Sequence, residues 1–333
     1  MRLHLSALLA ASVISLAYAG SVAAVPITGG DIMSQFNLVV LGDLESYSHV
    51  DGRTYVGGNL TGGTADFFQH GNNAAFSDYA ALVVGGNVTG NIKHVNSSGN
   101  AVIGGNVDSL GMNGGTAQIG GSINGSVGGK HVTGASVALP DFGTLFTDYS
   151  SAMASQAQNS SVSVAYGRAT FTGSVTSGLA VFDISSSLFS QINEIQFDLD
   201  PGAYALINVD GNPAQIAANF LGDYSSLQSS LLWNFPDAAS INFERQFRGS
   251  ILAPGAAIRN QNNLEGSVVV NSFVQRGEVH QPIFANNFPP VNAPGLDIPE
   301  PQTWALFALA LCGMGLVRYR RRPSRPGLRA ASI

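Results

Sequence analysis

Short aliphatic runs bounded by glycine and asparagine recur along most of this chain, and their spacing sets the expected architecture. Leu38-Val39-Val40-Leu41 is a solid apolar run ended by Gly42-Asp43, the pattern of a buried strand. A motif then recurs: aliphatic residue, two glycines, small polar residue, aliphatic residue. It reads Val56-Gly57-Gly58-Asn59-Leu60-Thr61-Gly62, Val84-Gly85-Gly86-Asn87-Val88-Thr89-Gly90, Ile103-Gly104-Gly105-Asn106-Val107 and Ile119-Gly120-Gly121-Ser122-Ile123-Asn124-Gly125. The first glycines lie 28, 19 and 16 residues apart. A unit this short cannot bury its apolar side alone, whereas stacked units bury a continuous column, so each is expected to be one coil of a β-solenoid. Gly-Gly-Asn is expected to provide positive φ at a tight corner. The unequal intervals imply inserted loops, the longest around Asp66 to Asp78.

Between Asp141 and Gln158 the period changes. Phe142, Leu145, Phe146, Tyr149 and Met153 fall at helical spacing, with Asp141 after Pro140 as the expected N-cap. This predicts an amphipathic helix near 141–158, its aromatic stripe packed on the solenoid. Beyond it the motif returns as Gly173-Ser174-Val175, Gly249-Ser250-Ile251-Leu252 and Gly266-Ser267-Val268-Val269, the last two 17 residues apart. Strands are expected at Leu179 to Ile184, Ile192 to Leu199 and Tyr204 to Val209, while Pro213 to Phe235 has mixed spacing. The expected fold is mainly β: a discontinuous β-solenoid, like a right-handed β-helix, interrupted by one amphipathic α-helix.

The two ends read differently. Arg2 and His4 precede an apolar run from Leu5 to Leu16, and Ala17-Tyr18-Ala19 offers the small residues of a signal-peptidase site. Residues 1–24 are thus expected to be a secretory signal, cut after Ala19 or after Ala24. Near the other end, Ile298-Pro299-Glu300-Pro301 is followed by an apolar run from Trp304 to Val317 and by Arg318, Arg320, Arg321 and Arg322. Fourteen residues make a helix of about 21 Å, which spans a hydrocarbon core of about 30 Å only marginally. Arginines kept on the cytoplasmic side place the preceding domain outside that membrane. Residues 291–297 read as a linker and 323–333 as a basic tail.

Composition narrows the function. The single cysteine, Cys312, lies in the apolar run, so neither disulfides nor a catalytic thiol belong to the exported region. From the end of the signal up to and including Asp297 there are eight basic residues against twenty carboxylates, an excess of twelve negative charges. With no basic patch to follow phosphates, nucleic acid is a poor partner. The 40 glycines and few charges suit a repetitive surface protein.

Two resemblances follow from these residues. The ordered set in residues 298–322 resembles the PEP-CTERM sorting signal of Gram-negative bacteria, although that signal more often has Val where Ile298 stands. The resemblance implies an exosortase-type processing enzyme as partner, Pro299, Glu300 and Pro301 as sorting motif, and the four arginines as membrane stop. An ordinary single-pass anchor is the alternative. Separately, Phe36 to Asp43, Asp51 to Asn59, Leu232 to Ala238 and Gly249 to Pro254 look like the choice-of-anchor A family, over about residues 31–290. That resemblance implies an adhesin-like β-helical surface domain and supplies no ligand.

Candidate chemistry in the body is sparse. His49, His70, His94, His131 and His280 are scattered with no pair at metal-ligand spacing, so neither a metal nor a cofactor is expected. Glu278 and His280 would share one face of a strand and, with Glu244, Arg245 and Arg248, could line a polar patch. Asp198 and Asp200 before Pro201-Gly202 lack the full EF-hand pattern and read as a solvated turn. Thr61, Thr89 and Thr116 do not form the Thr-x-Thr ladder that ice binding would require. The sequence therefore points to an exported, non-enzymatic surface or matrix protein associating with extracellular polysaccharide. A β-helical polysaccharide lyase or hydrolase is the alternative.

Overall fold

The computed structural model describes residues 27–71, 76–173, 178–225, 227–285 and 288. Within them the chain is mainly β and nearly all strand pairs are parallel, as stacking of successive coils requires. The solenoid does not follow chain order. Leu38–Val40 lies in the middle of the stack, with Thr54–Val56 on one side and Val268–Gln275 on the other. From Leu38–Val40 the coils climb through Leu82–Val84 and Ala101–Ile103 to Val107–Ile119, and end at Ile123–Thr133. The chain then returns through a helix and starts again at the far end. From there Leu179–Ser185, Tyr204–Asp210, Leu231–Asn234 and Ser250–Asn260 descend until Val268–Gln275 meets the first coil. The interruption expected from the sequence is thus the passage between opposite ends of one stack.

Three ladders run along the stack. In the first, Leu38 and Val40 point inward beside Val56, Leu82, Val84 and Ile103 on one side and Val268 and Val270 on the other. Val39 and Tyr55, on the opposite pleat, are nevertheless buried, because two helices cover this ladder. Helix α1 (Gly29–Met33) begins with a capping box between Thr28 and Asp31. Helix α2 (Gly143–Ala154) buries Leu145, Phe146, Tyr149 and Met153, the predicted stripe. Asp141 is not its N-cap: Phe142 occupies that position, and the Asp141 carboxylate accepts from Gly143 N at 2.9 Å. The aromatic Tyr55–Phe142 and Phe36–Tyr79 pairs, at 4.8 and 5.1 Å, fill the space between helices and ladder. Asn234, fully buried, donates to Ser150 O and accepts from Ser150 Oγ, and Asn208 donates to Met153 O. These bonds fix α2 on the stack.

The Gly-Gly pairs have a different cause from the one predicted. None of Gly57, Gly85, Gly104 or Gly120 has positive φ; the left-handed glycines include Gly62 and Gly90 at the end of the motif. A Cβ on Gly57 would lie 2.2 Å from Leu41 O, and one on Gly85 would lie 2.2 Å from Gly57 O. The glycines are needed because one coil's backbone rests on the next. Asparagine likewise serves stacking rather than turning. Asn87 N donates to Asn59 Oδ1 at 3.0 Å, Asn106 N to Asn87 Oδ1 at 2.8 Å, and Ser122 N to Asn106 Oδ1 at 2.8 Å. The motif reads out one polar ladder in which each side chain holds the following coil. The predicted long loop starts later than Asp66, since Ala65–Phe67 is a strand.

The seam between first and last coil carries its own bonds. Asn37, fully buried, donates to Gly266 O and His280 O and accepts from Gly52 N. Gln275 bonds Ser46 Oγ and His49 O across the same seam. The second half has an aromatic interior: Trp233 packs among Phe171, Phe197, Phe220 and Phe247, with its indole N–H donating to Arg248 O at 3.0 Å. The stack closes there with an antiparallel hairpin, Ser161–Ala165 and Arg168–Gly173, turning through Tyr166 and Gly167 at φ 51° and 77°. Positive φ at both central positions is the turn that matches strand twist.

Candidate functional site

The other two ladders face solvent. In one, Phe247, Leu264, Val279, Val50 and Phe67 succeed one another as the inward column. Side chains alternate across a strand, so the residues flanking each of these point outward. The pairing of Val279 with Val50 therefore sets Glu278 beside His49. His49 Nε2 lies 3.4 Å from Glu278 Oε2, and His280 Nε2 hydrogen-bonds the same carboxylate oxygen. His280 Nδ1 is 3.1 Å from Glu265 Oε1, which also accepts from Gln246 Nε2 at 2.7 Å. The His49 and His280 rings stack at 5.8 Å. All four side chains are partly buried, Glu265 the most, at 11% exposure. Burial pushes the His280 imidazole down, but the charge of Glu265, the bond to Glu278 and the charge of Asp51 together carry it above its ordinary value.

This is where the predicted polar patch is found, in altered membership. Glu278 and His280 do share one strand face. Arg248 is in register with Glu265, which is in register with His280, so it stands two rows away, over the ring of Tyr224 at 5.7 Å. Glu244 accepts from Asn242 Nδ2 at 3.3 Å, and Arg245 is exposed; neither touches the histidines. His49 and Glu265 are the members that the sequence did not reveal. His70 lies further along, 2.6 Å from Asp51 Oδ1. Asp200 begins a turn closed by Ala203 N donating to its carbonyl, as expected of that segment.

The third ladder presents two columns. Asp43, Asn59, Asn87 and Asn106 form one; Glu45, Thr61, Thr89 and Asp108 form the other. With Ser272 and Val274 of the last coil, the first three of each line a shallow groove of about 620 Å³. Thr61 and Thr89 do stand on adjacent coils of one column, but Thr116 lies elsewhere, paired with Lys130. The groove offers hydroxyls, amides and carboxylates in rows set by the coil spacing, a hydrogen-bonding surface for a ligand equally repetitive.

The remaining expected sites, the signal at 1–24, Pro299, Glu300, Pro301, the apolar segment from Trp304 and Arg318, Arg320, Arg321 and Arg322, lie outside the described residues. Among the described residues no helix is long and apolar enough to cross a membrane. Residues 29–281 match the family described as "Putative Ice-binding-like adhesive domain", an interval that contains both solvent-facing ladders and the two helices. No curated protein and no solved structure matches the chain.

Proposed function

Because this chain belongs to the ice-binding-like adhesive domain family, we propose that it is an exported adhesin-like surface protein that grips extracellular polysaccharide through the groove beside Thr61 and Thr89. Family membership over most of the chain carries the adhesive part. The groove supports the ligand class: its neutral amides and hydroxyls can exchange hydrogen bonds with sugar hydroxyls, and Asp43 and Glu45 can accept from them. The excess of acid in the body favours a neutral, hydroxyl-rich polymer over a polyanion.

Delivery in this reading depends on the ends. Signal peptidase removes residues 1–24, and the segment 298–322, read as a PEP-CTERM signal beside a choice-of-anchor A domain, passes to an exosortase-type enzyme of a Gram-negative envelope. The test follows the protein in the producing cells. It should fractionate with envelope and exopolysaccharide, with an intact mass ending near Pro301; a chain still ending at Ile333 replaces sorting by simple anchoring. A protein that stays wholly in the cytoplasm removes the proposal. The role is non-enzymatic, so polysaccharide depolymerisation that disappears in Glu278→Gln or His280→Ala would replace it with a lyase or hydrolase.

A further inference from the structure

The His49, Glu278 and His280 cluster sits where two ends of the folded body meet. His49 belongs to the first coil, Glu278 and His280 to the last, and these coils meet at the seam where Leu38–Val40 pairs with Val268–Val270 and Val50 with Val279, with Asn37 and Gln275 bonding across it. One ligand atom from each of the three side chains falls within 4.8 Å of the other two. Two imidazoles and a carboxylate are the donor set of open zinc sites, in which nitrogen and oxygen ligands stand about 2.0–2.2 Å from the ion. Tetrahedral ligands at that range are about 3.3 Å apart, close to the 3.4 Å between His49 Nε2 and Glu278 Oε2. His280 Nε2 is hydrogen-bonded to the same oxygen, and a metal ion bound between them would replace that bond.

The surroundings are those of a ligand set. His280 has its second nitrogen, Nδ1, on Glu265, and Glu265 is in turn held by Gln246. A carboxylate behind the far nitrogen of a ligating histidine fixes its tautomer and orients its ring. The three candidate ligands keep between 25% and 35% side-chain exposure, so the cluster is reachable from solvent.

We infer that His49 Nε2, His280 Nε2 and a Glu278 carboxylate oxygen bind a zinc-class divalent ion that staples the last coil of the solenoid to the first, leaving a fourth position open to water. Imidazole selects zinc-class ions over calcium and magnesium, which take oxygen ligands. The staple would hold together elements more than two hundred residues apart in sequence.

Titrating metal-free full-length chain with Zn²⁺ by calorimetry, with thermal unfolding in parallel, tests this. The expected result is one ion per chain and a higher Tm in zinc, with Ca²⁺ and Mg²⁺ ineffective. His49→Gln should lose both effects while its metal-free Tm and circular dichroism stay close to those of the parent. Glu265→Gln should bind about 10- to 100-fold more weakly. His94→Gln, elsewhere on the same ladder, should bind as the parent does. Absence of Zn²⁺ binding by the parent, undiminished binding by His49→Gln, or equal binding of Ca²⁺ would each overturn the assignment.

Discussion

Gly85→Ala isolates the reason that paired glycines recur. The new Cβ would lie 2.2 Å from Gly57 O and 3.0 Å from Gly57 C, a backbone obstacle that no rotamer change can relieve. Reaching ordinary contact requires the two coils to separate by about 1 Å, because carbon and oxygen atoms touch at more than 3 Å. That displacement strains the ladder bonds from Gly85 N to Val56 O at 2.7 Å and from Gly86 N to Gly58 O at 2.8 Å. Overpacking costs about 1–3 kcal/mol and each weakened bond about 1 kcal/mol, so a loss of about 4 kcal/mol is expected. For a body of this size it corresponds to a fall in Tm of about 8–16 °C. Gly128→Ala is the control, since its Cβ would find only Leu110 O, at 4.0 Å, and its φ is not left-handed. Thermal unfolding followed by circular dichroism reads both. A Gly85→Ala variant within about 2 °C of the parent, or equal losses in the two variants, would refute the close-stacking explanation.

Three further outcomes follow from single residues. Thr54 Oγ1 is buried without a hydrogen-bond partner, so Thr54→Val should stabilise the fold by about 1 kcal/mol, read as a rise in denaturation midpoint at unchanged slope. Asn37→Ala strands Gly266 O and Gly52 N at the seam, while His280 O keeps its bond from Gly266 N, and should cost about 3 kcal/mol in the same assay. Lys93, whose ammonium donates to Gly63 O and Asn91 O, is lowered by burial from 10.5 to about 8. Between those values the unfolded chain holds the extra proton, so Lys93 makes stability rise from about pH 8 to pH 10.5 and contributes no slope below pH 8. Lys93→Met should lack that rise relative to the parent in unfolding measured across this range.

The repeats made the solenoid legible, since a coil of 16 to 28 residues writes its own length into the glycine spacing. The helix was equally plain, because Phe142, Phe146, Tyr149 and Met153 keep one period. What the spacing could not express is the order of the coils. Nothing local in Leu38-Val39-Val40 says that it pairs with Val268-Val269-Val270, which lie beyond α2 in the chain. The candidate cluster was half legible for the same reason. Glu278 and His280 are two residues apart and show their common face, whereas His49 joins them only through the seam. Gly57 and Asn59 were recognised as corner residues but for the wrong cause: approach of a neighbouring coil is a tertiary property, and a turn was the nearest local explanation. Asn37 lay within a recognised segment, yet its role depends on carbonyls of the last coil.

The claim that the groove grips a polysaccharide is tested most directly by titrating the full-length parent and a Thr61→Ile/Thr89→Ile variant with the producer's purified exopolysaccharide. Isoleucine keeps the β-branched shape suited to the strand and removes both hydroxyls. The parent should bind saturably. The variant, unchanged in Tm, should bind at least about 10-fold more weakly, the effect of two lost hydrogen bonds of about 1 kcal/mol each. No saturable binding by the parent, or the same affinity in both proteins, would contradict it.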